Sequence, residues 1–158
     1  MKTPEHDLQV RCVTYFRYHY PHLRPLFFAV PNGGHRHKAT AARLKAEGET
    51  TGVADLILLL PNRYYHSLNI EMKWRTRQSP AQKLYEMCCR AAGGRYVICR
   101  SLAEFQHELA DYLSTVDPNT LSALAAIHRA VEAAKAEAAK KEYKKLINNG
   151  QLTMDNRQ

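Results

Sequence analysis

The sequence predicts an α/β (α+β) fold, with a mixed central sheet flanked by helices in the order αβββαβ and a C-terminal helical extension. Three observations predict it. Leu56 to Leu60 is a short, wholly apolar run ended by Pro61-Asn62, the pattern of a buried strand entering a turn. Leu68 to Trp74 alternates, with Leu68, Ile70 and Met72 on one side and Asn69, Glu71 and Lys73 on the other. A short connection makes these two an antiparallel hairpin. Beyond it, a helix and a further apolar strand imply a right-handed crossover and a parallel pair. The sheet is therefore mixed.

In chain order, Thr3-Pro4-Glu5 opens the first helix: Thr3 as N-cap, Pro4 at the first helical position, Glu5 near the positive end of the dipole. Leu8, Cys12, Tyr15 and Phe16 form its apolar stripe, and Pro21 and Pro25 mark its exit. Leu26 to Val30 reads as a first strand, ending in Pro31-Asn32-Gly33-Gly34, a turn that allows positive φ and exposes backbone N–H groups. Residues 38 to 47 form a short helix with Gly48 just past its end.

After the central hairpin, Ser79-Pro80-Ala81-Gln82 is a capping box that starts a helix to about Ala92. Leu84, Met87, Cys88 and Ala91 are its expected buried stripe. Gly93-Gly94 stops it, and Tyr96 to Cys99 is the next strand. Ser101-Leu102-Ala103-Glu104 reads as a second capping box, with Leu102, Phe105, Leu109 and Leu113 turned inward. Asp117-Pro118 starts a last helix reaching Ile147, roughly 45 Å if continuous. Leu121, Leu124, Ala125 and Val131 give it a buried start, and its lysine- and alanine-rich middle has almost no large apolar group. The expected division is a main domain over 1–116, the helical extension over 117–149 and a disordered tail over 150–158.

Composition narrows the function classes. No apolar run approaches membrane-spanning length, and the polar start has no signal-peptide core, so a cytoplasmic (or nucleoid) protein is expected. Cys12, Cys88, Cys89 and Cys99 make no C-x-x-C pair and read as reduced, small core residues. The eight histidines lack partners at metal-ligand spacing. The 23 Lys and Arg against 15 Asp and Glu give a net charge of +8, spread over the chain, which suits a polyanionic partner. Arg36, Lys38, Arg43 and Lys45 around the glycine-rich turn, with Arg75 and Arg77 beyond the hairpin, could face a phosphate backbone. A solvated surface is the usual fate of such residues.

The chemistry-bearing residues sit on the hairpin. Folding it back brings Asp55 beside Glu71 and Lys73, all on one face if pairing has an even index sum. Charges on a covered sheet face must be paired or bind an ion. Spacing alone serves a cross-strand ion pair as well as a metal site.

Six blocks in order carry a resemblance: Glu5-x-x-x-Gln9, Pro31-Asn32-Gly33-Gly34, Leu44-Lys45-Ala46-Glu47-Gly48, Gly52-Val53-Ala54-Asp55, Ile70-Glu71-Met72-Lys73 and Ser79-x-x-Gln82. Over about residues 3 to 115 the chain resembles the virus-type replication-repair nuclease (VRR-NUC) family of the PD-(D/E)XK superfamily. Ala54 departs from it, where proline is frequent. The resemblance implies a restriction-endonuclease-like core and metal-dependent hydrolysis of DNA phosphodiester bonds. Asp55 and Glu71, with the Met72 carbonyl, would hold Mg2+ (or Mn2+), a hard cation suited to oxygen ligands. Lys73, outside the coordination shell, would orient the attacking water or stabilise charge on the phosphoryl oxygens. Glu5 and Gln82 gain roles at the same site, and Asn32, Gly33 and Gly34 join the basic residues as a phosphate track. Stand-alone members resemble Holliday-junction resolvases, so branched DNA and a two-fold homodimer are expected. No small-molecule cofactor and no membrane are expected. A restriction-type endonuclease and a catalytically silent nucleic-acid-binding module are the alternatives.

Overall fold

A computed structural model of the chain describes residues 4–31 and 38–148. The expected N-cap Thr3, the turn residues Asn32, Gly33 and Gly34, Arg36 and the tail 150–158 lie outside those residues. The elements run α1 (Pro4–His19), a 3-10 helix (Pro21–Leu26), β1 (Phe27–Ala29), α2 (Lys38–Ala46), β2 (Leu56–Leu58), β3 (Leu68–Met72), α3 (Pro80–Ala91), β4 (Arg95–Cys99), α4 (Leu102–Leu113) and α5 (Pro118–Asn148).

The four strands form one sheet in the order β1-β2-β3-β4. β1 and β3 pair antiparallel with β2, and β4 pairs parallel with β3, so the sheet is mixed. The hairpin register pairs Leu56 with Ile70 and Leu58 with Leu68. Strand pairing ends at Leu58, earlier than the apolar run to Leu60 suggests. The Leu59 N–H turns to the Leu26 carbonyl (2.8 Å), and the Leu60 carbonyl accepts from the Tyr112 hydroxyl (2.7 Å). Asn62 then shapes the turn by accepting from the Tyr64 and Tyr65 N–H groups.

The sheet has two unlike faces. Leu56, Leu58, Leu68, Ile70, Met72 and Cys99 meet Leu8, Cys12 and Phe16 of α1 and Phe105, Leu109 and Tyr112 of α4 in one apolar core. Fully burying side chains of this size contributes about 1.5–3 kcal/mol each. Burial pushes the Cys12 and Cys99 thiols up to about 12, which keeps them protonated and inert. The opposite face carries Asn69, Glu71 and Lys73, all buried. Helix α3 covers it.

Helix α3 is turned the other way from its sequence pattern. Leu84 and Met87 are 62% and 68% exposed, and Cys88 and Ala91 are exposed too. Gln82, Tyr85, Glu86 and Cys89 point to the sheet instead. The reason is what lies beneath. Tyr85 donates to Asn69 (2.8 Å), Gln78 bridges Glu86 and Tyr96, and Arg90 binds Glu86 while donating to the Tyr96 carbonyl (2.9 Å). Buried polar groups need partners, and the polar side of α3 supplies them.

At α4, Ser101 accepts from the Glu104 N–H, but the Glu104 carboxylate takes the Arg100 N–H and leaves the box half-closed. Tyr112 joins the core there, whereas Leu102 and Leu113 are only partly buried. Helix α5 packs its first turns on the 3-10 helix, with Leu121 and Leu124 against the core. Val131 is 44% exposed, not buried: it lines an open groove between α5 and the 3-10 helix. Among the described residues no helix is long and apolar enough to cross a membrane.

Candidate active site

Continuing the hairpin register one step beyond Leu56–Ile70 sets Asp55 opposite Glu71. Both side chains leave the sheet on the α3 face, because side chains alternate along a strand. Asp55 is held by its neighbours: its carbonyl accepts from Val30 N–H (2.9 Å), and its Oδ2 accepts from Met72 N–H (2.8 Å). The Met72 N–H therefore points towards Asp55, and its carbonyl, on the same side of the strand, points there too.

Glu71 is the most enclosed acid, 1% exposed. Its Oε1 accepts from the Gln82 side-chain amide and lies 3.1 Å from Lys73 Nζ. Its Oε2 accepts from the Tyr96 hydroxyl at 3.2 Å. Gln82 closes the capping box as well: its Oε1 accepts from Ser79 N–H while Ser79 Oγ accepts from Gln82 N–H. One side chain thus fixes both the start of α3 and the orientation of Glu71.

Glu5 reaches the site from α1. Its Oε1 accepts from Trp74 N–H (3.0 Å) and from the Thr76 hydroxyl (2.6 Å), clamping the segment that leaves β3. Burial alone would raise its pKa. The Thr76 and Trp74 hydrogen bonds and the Lys73 ammonium outweigh that and hold it below the usual carboxylate value.

The two hairpin acids behave oppositely to Glu5. Burial raises Asp55 above its ordinary value, against the Met72 N–H and Lys73. Glu71 is pushed up to about 7, by burial first and the Asp55 charge second. Two carboxylates crowded in a water-poor place resist ionising together, and this is the electrostatic signature of a site short of positive charge.

The donor set fits a divalent cation. Asp55 Oδ1 has no hydrogen-bond partner among the described residues, so a hard oxygen is left open beside Glu71 and the Met72 carbonyl. The set is small: no group of three or more His, Cys, Asp or Glu side chains comes together among the described residues. A cation here would complete its shell with water, as Mg2+ commonly does.

The loop before β2 is locked to the same place. Gly52 has φ +89°, and a Cβ there would lie 2.5 Å from the Ala81 carbonyl carbon and 2.8 Å from Gln82 N. Only glycine lets the Asp55 segment approach the first turn of α3 so closely.

The expected phosphate track is only partly in view. Arg43 and Lys45 are exposed on α2, and Arg43 pairs loosely with Glu47 (3.5 Å). Arg75 and Arg77 are exposed just beyond β3. The side chain of Lys38, like Asn32, Gly33, Gly34 and Arg36, lies outside the described residues. Two residues escaped the sequence reading: Tyr96, which binds Glu71, and Thr76, which binds Glu5. Alternation along β4 puts Tyr96 on the Glu71 face, but only the parallel register, Asn69 with Tyr96, brings it within reach.

No protein-family model matches the chain, and no curated protein matches it. A solved structure described as a VRR_NUC domain protein is similar to it, at TM-score 0.63 and 21% sequence identity, over 74% of this chain and 93% of that one. The chain has the VRR-NUC fold. The likeness spans nearly all of that protein.

Proposed function

We propose that the chain is a divalent-metal-dependent DNA endonuclease of the VRR-NUC family. The observation that carries the reading is the convergence of Asp55, Glu71, Lys73, Gln82 and Glu5 from four segments onto one end of β3, in a chain with the VRR-NUC fold. Residues 1–116 form the nuclease domain in this reading, and 117–149 extend it.

Asp55, Glu71 and the Met72 carbonyl would hold Mg2+ or Mn2+. Such an ion would lower the pKa of a bound water and neutralise charge on the scissile phosphate. Gln82 and Tyr96 fix the Glu71 carboxylate so that it presents one geometry. The Lys73 ammonium is held beside Glu71 and stabilises charge gathering on the phosphoryl oxygens. Glu5 positions the strand exit. Arg43, Lys45, Arg75 and Arg77 track the backbone. The glycine-rich turn and its basic residues are assigned the same role from the sequence.

The substrate is branched DNA, and two-fold pairing of active sites in a homodimer suits cutting of two symmetric strands. Incubating the protein with linear duplex, flap and four-way-junction DNA, with and without Mg2+, tests this directly. Preferential Mg2+-dependent cutting of the branched forms is expected. Cutting at one short duplex sequence would instead mark a restriction-type enzyme. Asp55→Asn is expected to lower cleavage by at least about a hundredfold while DNA binding persists. Unchanged cleavage by that variant would sink the assignment of the site.

A further inference from the structure

The segment that leaves the site combines three features that its catalytic reading does not use. Trp74, the chain's single tryptophan, is 43% exposed one residue beyond Lys73. Arg75 has φ +58°, the one non-glycine residue with positive φ among those described, and its guanidinium lies 5.5 Å from the centre of the Trp74 ring. Glu5 grips the residues on either side, through Trp74 N–H and Thr76 Oγ1.

A left-handed arginine is strained, and such strain persists only where its surroundings impose it. The Glu5 clamp imposes it here. Its effect is to put a large flat ring in water beside the site, backed on one side by a delocalised cation. An indole left partly in water keeps a large apolar surface uncovered. The core would gain by covering it. A ring of this kind, next to positive charge, matches a nucleobase whose π-face is not already stacked.

We propose that Trp74, backed by Arg75 and held by the Glu5–Thr76 clamp, is a stacking platform for one unpaired base flanking the scissile phosphate. The inference rests on the nuclease reading and deepens it. In fully paired duplex both faces of each base are taken, so the platform selects DNA with a splayed or single-stranded nucleotide. Trp74 is a specificity-determining residue in this scheme, and Thr76 is a positioning residue.

Because Trp74 is the only indole, its emission reports on the platform alone. The full chain in chelator is titrated with a single-stranded oligonucleotide, the matching duplex, and a strand of equal length whose central sugars lack bases. Quenching by the base-bearing strand, and little by the abasic strand or the duplex, is expected. Trp74→Ala is expected to weaken single-strand binding about tenfold relative to duplex, and Trp74→Phe to restore most of that preference. Thr76→Val is expected to reduce quenching without removing the ring. Equal quenching by abasic and base-bearing strands overturns the platform, as does unaltered preference in Trp74→Ala. If those results came with intact Asp55- and Mg2+-dependent cleavage, the platform alone would fall. Absence of any DNA binding or cleavage would remove the nuclease reading and the platform together.

Discussion

At the residue scale, Glu71 sets the pH response. Its carboxyl is pushed up to about 7 by burial and by Asp55, so the anion that would hold a cation in the proposed site forms only as pH rises through that value. Metal capture and cleavage are expected to climb through about pH 7 and then level, which an initial-rate profile at limiting Mg2+ reads. Stability runs the other way. The folded pKa lies above the ordinary 4.5, so between 4.5 and about 7 the folded state binds more protons than the unfolded one. By linkage Glu71 contributes a loss of stability to the metal-free protein as pH rises across that window. Thermal melts in chelator from pH 4.5 to 8 are expected to show the decline, and Glu71→Gln to remove most of it. A flat wild-type profile would contradict this placement of Glu71. Lys73 shows why charge spacing alone was ambiguous: it forms the ion pair with Glu71, yet the same contact keeps it poised at the donor set.

At the element scale, the hairpin, the crossover and both ends of α3 were legible because short-range chemistry dictates them. Alternation gave the two faces of β3, and Ser79 with Gln82 gave the start of α3. What was not legible was which side of α3 turns inward. Apolar periodicity nominates Leu84, Met87, Cys88 and Ala91, but the partner face carries Asn69, Glu71 and Tyr96, and polar satisfaction decides the rotation. Tyr96 and Thr76 were hidden for a related reason, since a register and a clamp across 71 residues leave no local pattern. Gly52 stood in a recognisable block, though its reason lies in space, against Ala81 and Gln82. Gly52→Ala combines a positive φ with a backbone clash and is expected to cost about 1–3 kcal/mol. Urea unfolding measures that cost. Hydrogen exchange is expected to quicken in the first turn of α3 and not in α4; uniform quickening would mean that Gly52 serves the whole fold rather than the site.

At the scale of the whole molecule, the rotation of α3 leaves Leu84 and Met87 in water beside an exposed Cys88. If the proposed homodimer forms, this exposed apolar face is the surface to test as its interface. The double variant Leu84→Glu/Met87→Glu is expected to sediment as a monomer and to cut junctions one strand at a time. Wild-type protein that stays monomeric over a wide concentration range would refute the dimer.

The outer edge of β4 bears on how any assembly can form. Along β4 the odd residues turn their backbone groups to β3, as Arg95 N–H does to Ser67 and the Cys99 carbonyl does for Lys73 N–H. Tyr96 and Ile98 therefore present theirs outward. An open edge of this kind invites another strand to add on, chain after chain. Arg90 forestalls it by placing its guanidinium on the Tyr96 carbonyl, where an incoming strand would have to donate. The same arginine that helps dock α3 thus occupies one of the acceptors that an added strand would need on this edge.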